Sequence, residues 1–213
     1  MEIVRRLGNE TSDNVFIQMV DDHDLEVMDG EVETLRELSG GDDWRLIAVK
    51  VDDWNKDLTP WKAAPVFGKE CFGDGAPETL NFLLDNVIPE VSGEGKKLYV
   101  AGYSLAGLFA LWAAYETNVF TGVVAASPSV WFPGWIDYAG SHEFKASKAY
   151  LSLGDKEAKT RNQTMAKVSE NILQQNEILE KAGIDCIFEW NPGNHFRDAD
   201  KRTAKGMAWI LDK

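Results

Sequence analysis

Leu98-Tyr99-Val100-Ala101-Gly102-Tyr103-Ser104-Leu105-Ala106-Gly107-Leu108-Phe109-Ala110-Leu111 runs apolar, turns through small residues and runs apolar again. The first half reads as a strand buried on both faces, the second as a buried helix. Ser104 stands between them on a tight strand-to-helix turn. Such a turn needs small neighbours, and Gly102, Ala106 and Gly107 supply them. Two readings of Ser104 follow. Its hydroxyl caps the helix, or the turn pushes Oγ out above a sheet as a nucleophile. In the second reading the Leu105 amide, at the helix N-terminus, faces a developing oxyanion. The usual spacing is Gly-x-Ser-x-Gly, whereas Ala106 holds the second glycine position here and Gly107 comes one residue later.

The same alternation extends in both directions. Val15–Val20 reads as a strand, and Leu25, Met28, Val32, Leu35 and Leu38 recur at helical spacing up to Gly40-Gly41. Arg45–Val51 reads as a strand, followed by a long loop over 52–75 rich in Trp, Pro, Gly and Asp. Leu80, Leu83, Leu84, Val87, Ile88 and Val91 form one helical face. After the Ser104 turn come strands over 120–126 and 150–153 and a helix over about 160–182. A last strand over 185–190 and a last helix over 200–211 complete the chain. Strands alternating with helices predict a mostly parallel, doubly wound α/β sheet of about six strands with flanking helices. The chain has 213 residues, enough for one domain and short for two, so a single domain over 1–213 is expected.

Composition excludes several classes. A net charge of −13 argues against nucleic acid or an anionic membrane as partner. Only Cys71 and Cys186 are present, too few for a disulfide framework or a cysteine metal site. Arg5 and Arg6 precede no apolar stretch, so no signal peptide is read and a cytoplasmic location is expected. Asp21, Asp22, His23 and Asp24 match no tight ligand spacing and read as a solvated acidic loop, so no metal is expected.

Ligands of such sheets sit beyond the carboxyl ends of the strands. The chain has three histidines, His23, His142 and His195. His195 lies after the last strand and before the last helix, where a serine nucleophile's base belongs in the chain order serine, acid, histidine. The acid belongs after the strand over 150–153, where Asp155 and Glu157 both stand. Reach favours Glu157, and proximity to the strand favours Asp155. A second oxyanion amide is expected after the first strand, at Asp22 or His23. Trp54, Trp61, Trp131 and Trp135 fall in loops, where they line an apolar pocket or pack the loops onto the sheet.

Four segments in order carry a resemblance. These are 73–89 (GDGAPETLNFLLDNVIP), 102–110 (GYSLAGLFA), 126–131 (ASPSVW) and 193–195 (GNH). Together they resemble the esterase family of α/β-hydrolases that includes esterase D, feruloyl esterases and enterochelin esterase-like enzymes. The resemblance covers most of the chain. It implies the α/β-hydrolase fold, with Ser104 as nucleophile, His195 as base and the acid about three residues past Gly154, at Glu157. It implies oxyanion amides at Leu105 and near His23. The expectation is a carboxylic-ester hydrolase working through an acyl-enzyme without a cofactor, and the acidic charge and lack of a lid-sized insertion point to a small soluble ester as substrate. Trp54 and Trp131 are the candidate pocket residues. The segment 55–60 lacks the arginine often present in the siderophore esterases, which argues against a tris-catecholate substrate. An acyltransferase with the same three groups, or a binding protein on the same fold, are the alternatives.

Overall fold

A computed structural model describes residues 1–211. Its strands are β1 (Glu2–Gly8), β2 (Asn14–Val20), β3 (Arg45–Lys50), β4 (Lys97–Tyr103), β5 (Gly122–Ala126), β6 (Lys148–Gly154) and β7 (Asp185–Asn191). Its helices are α1 (Asp22–Ser39), α2 (Trp54–Asp57), α3 (Ala76–Phe82), α4 (Ile88–Val91), α5 (Leu105–Glu116), α6 (Trp135–Ser141), α7 (Val168–Lys181) and α8 (Ala199–Leu211). The strands form one sheet in the order β1-β3-β2-β4-β5-β6-β7. All neighbours are parallel except β1 and β3.

The sheet therefore has seven strands, one more than the sequence pattern gives. The additional one is β1. Arg5 and Arg6 interrupt its apolar pattern, and in an edge strand each finds an acid. Arg5 reaches Asp29 on α1 at 2.7 Å, and Arg6 reaches Glu90 on α4 at 2.8 Å. Successive side chains of a strand point to opposite faces, so consecutive arginines tie the edge to both helix layers. The short helix α6 is likewise absent from the sequence reading. It begins at Trp135, which the sequence pattern places in a loop.

Two apolar cores follow from the double winding. Helices α3, α5, α6 and α7 cover one face of the sheet, α1 and α8 the other. Helix α5 is buried from Leu105 to Tyr115, which explains its apolar character all round. Helix α1 opens on a capping box of Asp21 and Asp24 and ends at Gly40 in the left-handed conformation. Among the described residues, no helix is long and apolar enough to cross a membrane.

Candidate active site

Strand β4 ends at Tyr103 and α5 begins at Leu105, leaving Ser104 alone in the turn. Its φ is 57° and its ψ −120°, a conformation that costs a non-glycine residue of order 1–3 kcal/mol. Its hydroxyl makes no capping bond to the helix. Instead Oγ lies 3.0 Å from His195 Nε2 and 3.3 Å from Ser129 Oγ. The backbone holds the turn. Ser104 N–H donates to Ala126 O, and Ser104 O accepts from Ser129 and Leu108 N–H. Leu105, first in the helix, has no intrahelical acceptor for its N–H.

His195 comes from the loop after β7, and its side chain is 25% exposed. Its Nδ1 lies 2.7 Å from Glu157 Oε2, so the ring bridges Ser104 and Glu157. Glu157 follows β6 and is 4% exposed. Its other oxygen, Oε1, accepts from Gly154 N–H at 2.7 Å, Ser127 Oγ–H at 2.8 Å and Arg202 Nη1 at 2.9 Å. Burial pushes the Glu157 carboxyl upward, but its bonds with His195, Gly154 and Ser127 outweigh burial and hold it below the usual range. Asp155 turns elsewhere: its Oδ1 accepts from Gly193 N–H at 2.8 Å. Of the two acids, the structure brings Glu157 to His195. Tyr103 Oη donates to the His195 carbonyl at 2.7 Å, and burial pushes that phenol up to about 12.

A cleft of about 290 Å³ opens beside Ser104 and His195. Phe67, Trp131, Met165, Val168 and Phe196 give it apolar walls, and Ser127, Ser129 and Glu157 complete the lining. Among the described residues, no lysine or arginine lines it.

Trp131 is thus at the cleft, but Trp54 is not. Trp54 lines a separate depression with Glu2, Asp21, Asp22, Lys50, Val51 and Asp52. Asp53 caps the short helix α2 immediately after β3 and fixes Trp54 there. Trp135 is fully buried, donating to Gln175 Oε1, and Trp61 packs on Phe132 and Tyr138. His23 sits in the first turn of α1 and does not line the cleft. Its ring is exposed, with Nδ1 3.7 Å from Glu26. Arg202 was not legible as a site residue. Its one signal is a charge in the buried stripe that includes Gly206 and Ile210 on α8.

No family model and no curated protein matches the chain. Solved structures do. The enterobactin hydrolase IroE in complex with DFP is 18% identical, with a TM-score of 0.71 over 97% of this chain and 86% of that one. The enterobactin esterase FES from Shigella flexneri is 14% identical, with a TM-score of 0.64 over 93% of this chain. The chain spans about half of that esterase's length, 52%. A ferulic acid esterase is 11% identical, with a TM-score of 0.61 over 92% of this chain and 85% of that one. Likeness at these identities establishes the architecture: the chain has the α/β-hydrolase fold that these esterases share.

Proposed function

We propose that the protein is a serine carboxylic-ester hydrolase. The observation that carries this reading is the continuous relay from Ser104 Oγ through the His195 ring to Glu157, at 3.0 Å and 2.7 Å. Ser104 Oγ attacks the acyl carbonyl and passes its proton to His195 Nε2. Glu157 holds Nδ1–H and stabilises the imidazolium. The Leu105 N–H donates to the oxyanion. The second donor in this reading is an amide of the first turn of α1, Asp22 or His23; β2 running beside β4 supports it, although neither residue lines the cleft. Collapse of the tetrahedral intermediate breaks the ester C–O bond, and His195 gives its proton to the leaving alcohol. His195 then takes a proton from water as its oxygen attacks the acyl-Ser104 carbonyl, and gives that proton to Ser104 Oγ as the acyl C–O bond breaks and the acid leaves. The steps use only the chain's own groups and water.

The cleft supports a substrate class. Its walls are aromatic and aliphatic, and among the described residues no lysine or arginine lines it to pair with a carboxylate or phosphate. The reading is therefore an uncharged ester with a short aliphatic or aryl acyl group. Turnover of p-nitrophenyl acetate and butyrate by wild type and Ser104→Ala tests it. Loss of turnover in the folded variant supports the reading, and wild-type turnover in Ser104→Ala overturns it.

A further inference from the structure

We propose that Arg202 is a positioning residue of this site, its guanidinium fixing the Glu157 carboxylate and the His195 loop as one unit. The proposal rests on the hydrolase reading for its kinetic consequences and on the geometry alone for its structural ones. The Arg202 side chain is 2% exposed and reaches the site from α8, on the far face of the sheet from α5. Nη1 is surrounded by Glu157 Oε1 at 2.9 Å, Ser127 Oγ at 3.0 Å and Tyr103 Oη at 3.1 Å. Nη2 donates to the carbonyls of Pro192 at 3.2 Å and Asn194 at 3.1 Å, the latter immediately before His195.

One rigid fork thus holds the acid and the loop that carries the base. Glu157 Oε1 is saturated by Gly154, Ser127 and Arg202, which leaves Oε2 alone for His195 Nδ1. The carboxylate cannot rotate without losing several bonds at once. A lysine has the charge but not the planar fork, so one ammonium cannot serve Glu157 and both carbonyls together. Arg202 is absent from the cleft lining and acts only through Glu157 and the His195 loop.

Burying this charge is costly. Arg202 Nε has no partner among the described residues, and an apolar side chain of similar volume is often as stabilising as a buried ion pair. The arrangement is better accounted for by geometry at the site than by stability. The other ionisable groups about the pair are Tyr103 on β4, Asp155 tied to Gly193, and Arg197, whose side chain packs on Gly193.

The test compares wild type, Arg202→Met and Arg202→Lys. In Arg202→Met, kcat falls roughly 10²-fold with KM unchanged, the scale seen when a group supporting a reactive side chain is lost. Arg202→Lys restores only part of kcat. The far-downfield proton resonance of the His195 Nδ1–H bond to Glu157 reads the geometry without turnover. It is present in wild type and broadened or lost in Arg202→Met. A folded Arg202→Met protein with wild-type kcat and an unmoved resonance overturns the proposal. If Arg202→Met does not fold, Arg202→Lys decides: reduced kcat at unchanged KM supports the proposal, and wild-type kcat overturns it. A wild type that shows the resonance, loses it in Arg202→Met and hydrolyses no ester overturns the hydrolase reading and leaves the role of Arg202 standing.

Discussion

The Cβ that Gly102 lacks would stand 2.3 Å from the Ala106 carbonyl carbon and 2.6 Å from the Ala106 Cβ. Helix α5 therefore meets strand β4 at backbone contact, and the elbow accepts a methyl at position 106 because position 102 has none. Gly107 meets a different wall, its missing Cβ lying 3.1 Å from Gly102 O and 3.2 Å from Pro128. Gly102→Ala is expected to cost about 3 kcal/mol, since backbone and not a flexible side chain must move. Ala106→Gly is expected to cost about 1 kcal/mol and to keep the fold. Urea unfolding midpoints measure both, and an unchanged midpoint for Gly102→Ala contradicts this account of the turn.

Glu157 and Asp155 separate by contact: Glu157 meets His195, and Asp155 meets Gly193. Glu157→Gln keeps the shape but cannot hold the Nδ1–H tautomer, so kcat is expected to fall about 10³-fold or more. Asp155→Asn removes only the support of Gly193 and is expected to cost about tenfold. Equal losses in steady-state assays would show that the acid is not specific. The pH dependence has a definite sign. The Glu157 carboxyl is held low in the folded chain, so its ionisation contributes stability above the usual carboxylate range. That contribution is lost as pH falls through the lowered value, and Glu157→Gln flattens this acid loss.

Glu31 behaves in the opposite sense. It is buried against Gln18, and burial, with Asp24 adding to it, pushes its carboxyl well above the usual range. A raised folded value means that its contribution is full below the usual range and is lost as pH rises through the raised value. Glu31→Gln removes this penalty while keeping an acceptor for the Gln18 amide. Its Tm is expected to rise by about 3 °C at pH 8 and by less at pH 5. Calorimetry at the two pH values decides, and a larger gain at pH 5 contradicts the sign.

Phe196 lines the cleft yet is 89% exposed. Phe196→Ala should therefore leave stability unchanged. It should raise KM for p-nitrophenyl butyrate about fivefold, the equivalent of one partly buried contact. A changed Tm with unchanged KM would place the residue in the fold and not in the substrate wall.

The parallel core was legible because its strands are continuous apolar runs and its helices keep one apolar face. The edge was not. Strand β1 carries Arg5 and Arg6, whose partners Asp29 and Glu90 are distant in sequence. Chain order and strand ends point to Ser104 and His195 but leave Asp155 and Glu157 both open, and only the family resemblance points to Glu157. Position after a strand does not say which way a loop turns. Trp54 therefore falls in the Asp21–Lys50 depression although it follows β3. Helical arginines usually face solvent, so nothing in the sequence marks Arg202 as the buried one.

The central claim is that Ser104 is a nucleophile activated by His195. Incubation with a fluorophosphonate, followed by peptide mass spectrometry, tests it most directly. The account predicts one covalent adduct, on Ser104, abolished in Ser104→Ala and strongly slowed in His195→Ala. An unlabelled wild-type protein, or an adduct on another residue such as Ser129 with Ser104 free, would contradict it.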